Sequence, residues 1–405
     1  MVSAFGTSHA AFRDALLEGR SGIAPLSGFD TSDCRTKLAA QVTDFEPVKW
    51  VAPMKLRRLD RTGVYALALA QLALEDAQRA PAPEGDDRSG VVLGTWTAGG
   101  QSTQQYLDAF FRIGPGSAPA LLFDSTVGNS AASLAGMEYK LRGPNVTVSH
   151  KEASGLGAIV CAAELLRSDR ACRLLAGGVD AVFETFFKAY DGFGVMSGDA
   201  AFSSRQAPFD CARAGFVLGE GAFGLWLERS DDRTPGGGEE ILGVAAAGAA
   251  VGLNRWPDKP EPLVRTMRLA LEDAGLSPED VDVVYASANA TAGLDLTEAE
   301  ALSQLFAGSR VVVTSLKGAL GEFGASGGAA CAAAFLCGRE GRVPPIAGLV
   351  KPMAAAETLN LAWQAVDAPG PIVLVNSFAS GGALFSVVLR ASRLPGRSED
   401  RPLHM

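Results

Sequence analysis

At 405 residues, with 47% apolar and only 20% charged side chains, the chain can bury a large core as one big domain or two ordinary ones. Its net charge of −9 argues against a nucleic-acid partner. No stretch is long and apolar enough to span a membrane, and Met1-Val2-Ser3-Ala4 carries no basic, apolar, cleavage-like leader, so a cytoplasmic protein is expected.

Taken in chain order, the first clear signal is the hexapeptide Leu-Ala-Leu-Glu-Asp-Ala at 72–77, followed by the apolar strand candidate Gly90-Val91-Val92-Leu93-Gly94. Val146, Thr147, Val148 and Ser149 then read as a short buried strand, β-branched and bounded by Pro144. Ala153, Ser154, Gly155 and Gly157 permit a sharp turn into a tightly packed helix running to about Leu166. Leu174–Gly178 and Ala222–Glu228 complete this half, and the polar Arg229–Glu240 reads as a surface loop. The hexapeptide returns at 269–274, followed by Val281–Tyr285, a strand and small-residue helix over Val311–Leu336, and then Ile372–Asn376 and Gly381–Leu389. The same order of helix, strand, strand, helix, strand, strand therefore occurs twice. Alternating buried strands and helices predict an α/β layered fold with mixed sheets sandwiching helices. We divide the chain into halves at 1–235 and 236–392, with a polar, frayed tail at 393–405.

Strand, tight turn and buried helix is how many acyl-transfer enzymes aim a nucleophile, with helix N-terminal amides favouring nearby negative charge. The residue at this turn is Glu152. A carboxylate is a poor nucleophile toward a thioester, and its acyl product would be a labile mixed anhydride. The site reads as kept in shape and emptied of chemistry. The six cysteines, at 34, 161, 172, 211, 331 and 337, have no C-x-x-C spacing and read as small core hydrophobes. His9, His150 and His404 are too few to build a zinc site, so no metal or cofactor is implied. Gly99–Gly100, Gly192–Gly194 and Gly236–Gly238 lack the context of phosphate loops and read as turn and packing glycines.

The segment Val146–Leu156 resembles the β-ketoacyl synthase family, whose pattern V-x-x-[ST]-x-A-C-[ST]-[ST]-G-L places the acylated cysteine where this chain has Glu152. The resemblance spans nearly the whole chain. It includes Ala4–Thr7 with Gly19–Ile23, Leu141–Asn145, and Pro208-Phe209-Asp210 followed by Gly215–Ala222. It implies a thiolase-like duplicated fold, layered α-β-α-β-α with two mixed sheets. It also marks two catalytic histidines as replaced. Ser287 stands in the string that is N-A-H-G-T-x-T in the family, ahead of Asp295, Glu298 and Ala299. Glu322 ends the string K-[SA]-x-x-G-H, whose Lys317 is retained, to neutralise Glu152 or Glu322 or as a vestige. The glycine gate reads Ala379-Ser380-Gly381-Gly382, without the family's phenylalanine. Condensation needs a thiolate and two imidazole donors at a developing enolate, and losing one such donor typically costs roughly two to three orders of magnitude in rate.

A ketosynthase-like chain without its cysteine resembles the chain length factor, or ketosynthase β-subunit, of type II polyketide synthases, whose aromatic-pathway members read Q-A-G-G-L where this chain has Glu152–Leu156. The resemblance implies a heterodimer with an active ketosynthase, with Val146, Thr147, Val148 and Ser149 at the interface. An acidic acyl carrier protein would then dock mainly on the partner. Leu121–Ser133 would line or cap the acyl tunnel, with Phe123, Thr126 and Ser130 setting where the chain stops; the alternative is that these small residues pack a helix at the interface. Two other readings stand beside this one: a malonyl decarboxylase generating priming units, and a free-standing structural homologue. Family members also open with a strand before the string found here at Ser3, so a central strand is expected to be lacking, through trimming or a start placed late.

Overall fold

The computed structural model describes residues 1–229 and 238–392, so most of the expected boundary loop and the tail beyond Ser392 lie outside the described residues. The first half carries, in chain order, α1 (His9–Leu17), β1 (Ile23–Pro25), β2 (Leu38–Ala40), α2 (Pro53–Leu56), α3 (Arg61–Asp76), β3 (Ser89–Gly94), α4 (Gly100–Arg112), α5 (Ser130–Glu138), β4 (Asn145–Val148), α6 (Ser154–Arg167), β5 (Arg173–Asp180), α7 (Glu184–Phe193) and β6 (Gly221–Glu228). The second carries β7 (Glu240–Gly248), α8 (Glu261–Ala274), β8 (Val283–Tyr285), α9 (Ala292–Leu305), β9 (Val312–Thr314), α10 (Lys317–Leu320), α11 (Ser326–Arg339), β10 (Arg342–Val343), β11 (Asn360–Leu361), β12 (Val366–Asp367), β13 (Ile372–Phe378) and β14 (Ala383–Arg390).

Two mixed sheets organise these elements, one ordered β4-β3-β5-β6 and the other β11-β9-β8-β13-β14-β7. Each contains two parallel pairs followed by an antiparallel one, β3 with β4 and β5 then β5 with β6, and β8 with β9 and β13 then β13 with β14; the second sheet adds the parallel pair β11–β9 and the antiparallel pair β14–β7. The order β4-β3-β5-β6 thus repeats as β9-β8-β13-β14. Both hexapeptide copies close the helix that packs on the last of these strands, α3 on β6 and α8 on β14, and both bury their third residue, Leu74 and Leu271. The layers run α3/α5, first sheet, α6/α11, second sheet, α8/α9, as the thiolase-like expectation requires.

The central strands are apolar because helices cover both faces: β3 is buried along its whole length, and β5 from Leu174 on. Between the sheets, α6 and α11 approach closely through small residues. A Cβ at Gly327 would lie 2.6 Å from Leu156 Cβ, and one at Gly94 would lie 2.0 Å from the Ser154 carbonyl oxygen, so β3 can pass beneath the start of α6 only with glycine there. Cys331 and Cys337 sit in this buried layer on α11, whereas Cys161 on α6 is half-buried. Gly99 and Gly194 take positive φ at the start of α4 and the end of α7, the turn role expected; most of the third glycine cluster lies outside the described residues.

Two expectations need correction. The segment 146–149 is not a buried strand: β4 spans Asn145–Val148 at a sheet edge, its residues half-buried or exposed, and Ser149 lies beyond it in the open. A run of β-branched residues does not by itself separate a central strand from an edge strand. The strand expected to be lacking is also not central. The second sheet has β7 paired along β14, while at the corresponding edge of β6 only Val2 faces Ala222 among the described residues, so the place in question is an edge position. Among the described residues no helix is long and apolar enough to cross a membrane.

Candidate active site

The parallel strand β4 runs into a short 3-10 turn, Lys151–Ala153, and directly into α6. Lys151 holds φ at +50°, a left-handed conformation that a non-glycine residue adopts only when its surroundings enforce it. The bonds that enforce it are local. Ser154 Oγ accepts from the His150 amide at 2.8 Å and lies 2.7 Å from the Lys151 carbonyl oxygen, and the Gly155 amide donates to the Gly324 carbonyl at 2.7 Å.

This turn drives the Glu152 side chain inward, where it is 2% exposed. Its carboxyl accepts from the Ser380 amide at 3.1 Å and the Ser380 hydroxyl at 2.8 Å. Burial, and secondarily the charge of Glu322, pushes the Glu152 carboxyl up to about 7. Lys151 reaches over the same turn to Asn254 and to Ser380 Oγ, so the nucleophile position is tied to the 379–382 segment on both sides.

Glu322 is also buried but fully partnered. It pairs with Lys317, accepts from Asn289 Nδ2 at 2.8 Å and from the Phe323 amide at 3.2 Å, and lies 3.3 Å from Ser326 Oγ. The retained lysine therefore serves Glu322 and not Glu152, and donates its second bond to Ser326 Oγ at 2.8 Å. Ser326 in turn lies 3.5 Å from the Glu152 carbonyl oxygen, which links the two acidic positions. Ser287 stands on the loop after β8 with its Oγ accepting from the Phe378 amide at 2.9 Å. That loop is held from below: Glu298 accepts from the Ser287 and Ala288 amides, and Asp295 from those of Phe209, Asn289 and Ala290. Burial raises both carboxyls, Glu298 to about 7 and Asp295 to about 6.

Glu152, Lys317 and Glu322 are thus linked through Ser326, Ser287 stands on the loop whose Asn289 reaches Glu322, and the chemistry they offer is limited. No thiol or imidazole joins them among the described residues: the exposed His150 turns its ring against Phe385, centroids 5.4 Å apart, and His9 pairs with Asp76 far along the chain. The cavity beside Lys317, Ser326 and Asn376 encloses about 10 Å³, room for about one water. Among the described residues no group of three or more His, Cys, Asp or Glu could hold a metal ion. Sequence reasoning missed Ser380, Ser326 and Asn289 as the partners of the two carboxylates. The one available signal was Ser380 itself, a hydroxyl where the family carries phenylalanine.

Of the expected interface and tunnel residues, β4 packs beside α5, and the 3-10 helix Ala120–Ser125 packs on α4 and α5. Phe123 is 58% exposed, with its ring 5.7 Å from Tyr106; Thr126 is half-buried, and Ser130 opens α5 in a buried position. Beside them Phe111 and Ile113, at the end of α4, are 76% and 75% exposed, a part of this apolar surface that sequence reasoning did not anticipate. Thr147 Oγ1 on β4 is buried without a hydrogen-bond partner.

Comparison with known proteins agrees with this geometry. The family described as Beta-ketoacyl synthase, N-terminal domain matches residues 1–233, and the Beta-ketoacyl synthase, C-terminal domain matches 240–350. The 3-oxoacyl-[acyl-carrier-protein] synthase 2 of Coxiella burnetii is 29% identical over 96% of each chain. The Actinorhodin polyketide putative beta-ketoacyl synthase 2 of Streptomyces coelicolor is 31% identical over 86% of each. The solved ishigamide ketosynthase/chain length factor matches with a TM-score of 0.86 at 28% identity, covering 96% of each chain.

Proposed function

The chain belongs to the β-ketoacyl synthase family, and we propose that within it this protein is the non-condensing chain length subunit of a type II polyketide synthase, acting as a heterodimer with an active ketosynthase. One observation carries the reading. Each of the three positions that would do the chemistry holds a side chain already committed to a neighbour: Glu152 to Ser380, Ser287 to the Phe378 amide, and Glu322 to Lys317 and Asn289. An anionic Glu322 would repel a developing enolate, and a serine at 287 is a weak substitute for an imidazole donor. The same absence of aimed donors counts against a decarboxylase. Likeness to ketosynthase β-subunit relatives and to a ketosynthase/chain length factor structure supports the partner class.

The partner is proposed to cover the free edge of β4 together with Phe111, Ile113 and Phe123, burying this apolar face and offering a group to Thr147 Oγ1. Acyl carrier protein would dock mainly on that partner. The test is coexpression with a type II ketosynthase subunit that has its cysteine and two histidines. We expect an equimolar complex that condenses acyl and malonyl carrier proteins, and no condensation from this chain alone. Robust turnover by the rigorously purified single chain, or a stable monomer that ignores the partner, would overturn the proposal.

A further inference from the structure

A pocket that shares no residue with the acidic site lies at the first turn of α3. It encloses about 430 Å³, within the size range of small-molecule sites. Its walls are mostly aliphatic. Val42 and Pro47 come from the segment after β2, Leu56 from α2, Leu59 from the turn that follows, and Val64 from α3. Phe45 adds a ring that is fixed from two sides: Trp50 stacks on it with centroids 6.1 Å apart, and Tyr65 meets it edge-on at 5.0 Å.

Two charged residues line this pocket, and they differ in what they have left to offer. Asp60 is committed to the fold: one oxygen accepts from the Gly63 amide at 2.9 Å, capping α3, and the other from the Ser102 hydroxyl at 3.0 Å. Arg61 is committed on one nitrogen only. Its Nη2 donates to the Tyr65 hydroxyl at 2.6 Å and to the buried Glu220 carboxylate, and lies 3.4 Å from the Val42 carbonyl oxygen. Nε and Nη1 have no hydrogen-bond partner among the described residues, and the side chain stays 37% exposed. The guanidinium is also held still. Glu220 is itself fixed by the Val42 and Val182 amides at 2.9 and 2.8 Å, and Arg61 Cζ stands 5.5 Å from the centre of the Tyr65 ring. A cation positioned in this way, with N–H groups to spare beside apolar walls, suits an anionic head on an apolar body. One guanidinium already shared with Glu220 is a poor match for a dianion such as a phosphate monoester. It matches a single carboxylate.

We propose that this pocket binds a medium-chain aliphatic monocarboxylate, its carboxylate on the free N–H groups of Arg61 and its chain against Val42, Pro47, Leu56, Leu59 and Val64. The head takes charge-assisted hydrogen bonds that the chain itself leaves unmade, and the tail covers apolar surface that is otherwise wet. Binding leaves the Arg61–Glu220 pair in place, because the ligand uses the nitrogens that pair does not.

The experiment titrates octanoate into the full chain, read by calorimetry and by the methyl resonances of Val42, Leu56, Leu59 and Val64. We expect saturable binding that shifts these methyls, with a Kd on the order of 1 mM or below. Octanol, the same tail without the charge, and acetate, the head without the tail, should each bind at least about tenfold more weakly. Arg61→Lys can still neutralise Glu220 but has a single nitrogen, so none is left for the pocket, and octanoate affinity should fall at least about tenfold. Pro47 is exposed at the rim, so Pro47→Glu should keep the parental Tm and weaken octanoate about three- to tenfold, a loss that shrinks as salt is added. If Arg61→Lys does not fold, Pro47→Glu decides. Octanoate that leaves these methyls unmoved, octanol that binds as tightly as octanoate, or parental affinity in either folded variant would overturn the proposal.

Discussion

Glu152 keeps its proton to higher pH than an ordinary carboxyl does, and this gives the site a pH signature. Its carboxyl is pushed up to about 7 from 4.5, chiefly by burial, so the folded protein binds a proton over that interval more tightly than the unfolded chain does. The contribution to stability is therefore fully present below pH 4.5 and is lost as pH rises through about 7, amounting to about 3 kcal/mol across the window. Glu152→Gln keeps an acceptor for the Ser380 amide and removes the titration. We expect the variant to be more stable than the parent at pH 8, by about 1–3 kcal/mol in urea unfolding, and equal to it near pH 4.5. An unchanged difference between the two pH values would show that Glu152 is not a buried titrating group. Glu298 and Asp295, also raised, add to the slope of both proteins and cancel in the comparison. The Lys317–Glu322 pair behaves differently, because removing one partner strands a charge. Lys317→Met should cost about 3–5 kcal/mol, and adding Glu322→Gln should recover much of it, a coupling that a double-mutant cycle reads directly. At this scale the sequence disclosed which positions had changed. It could not disclose that each carboxylate had found its own partner, because Ser380 and Asn289 lie 228 and 33 residues away from the groups they bind.

At the scale of elements, α4 leaves most of its surface uncovered by the rest of the chain, as β4 does at its sheet edge. Of α4 only Ser102 is buried, although the helix carries Tyr106, Leu107, Phe110 and Phe111 in its second half. An apolar stripe facing solvent marks an interaction surface when it continues into neighbouring exposed groups, here Ile113, Phe123 and the edge of β4. Phe111→Asp should leave the Tm of the isolated chain nearly unchanged, since the ring is already exposed. It should weaken the heterodimer by about 2 kcal/mol, roughly 30-fold in Kd. Loss of folding in the isolated variant would show that the ring packs within the chain; intact pairing would move the interface elsewhere. The strands and helices of both halves were legible because their apolar runs and the repeated hexapeptide keep the same order. The exposure of β4 was not: Val146, Thr147 and Val148 have the composition of a central strand, and only pairing reveals an edge.

On the scale of the molecule, the Glu152 turn and α4 both follow the C-terminal ends of neighbouring parallel strands, β4 and β3, whose last residues Val148 and Gly94 stand side by side. The layered architecture followed from sequence alone. The open outer edge of β6 among the described residues did not, since an edge and a centre differ only in the order of pairing. On the proposed reading, chain length would be set by volume at the partner-facing surface, and the two candidate stops differ in what they tolerate. Ser130 is buried at the first residue of α5, so a large side chain there would overpack the helix and cost about 1–3 kcal/mol before any effect on products could be read. Thr126 is half-buried at the end of the 3-10 helix Ala120–Ser125, its hydroxyl donating to the Phe123 carbonyl at 2.7 Å, and a larger group there has open space to grow into. Thr126→Trp in the heterodimer should therefore shorten the products, read by their masses, while the first condensation proceeds at the parental rate. Products of unchanged length at normal turnover would place the stop on the ketosynthase partner or on another part of this surface.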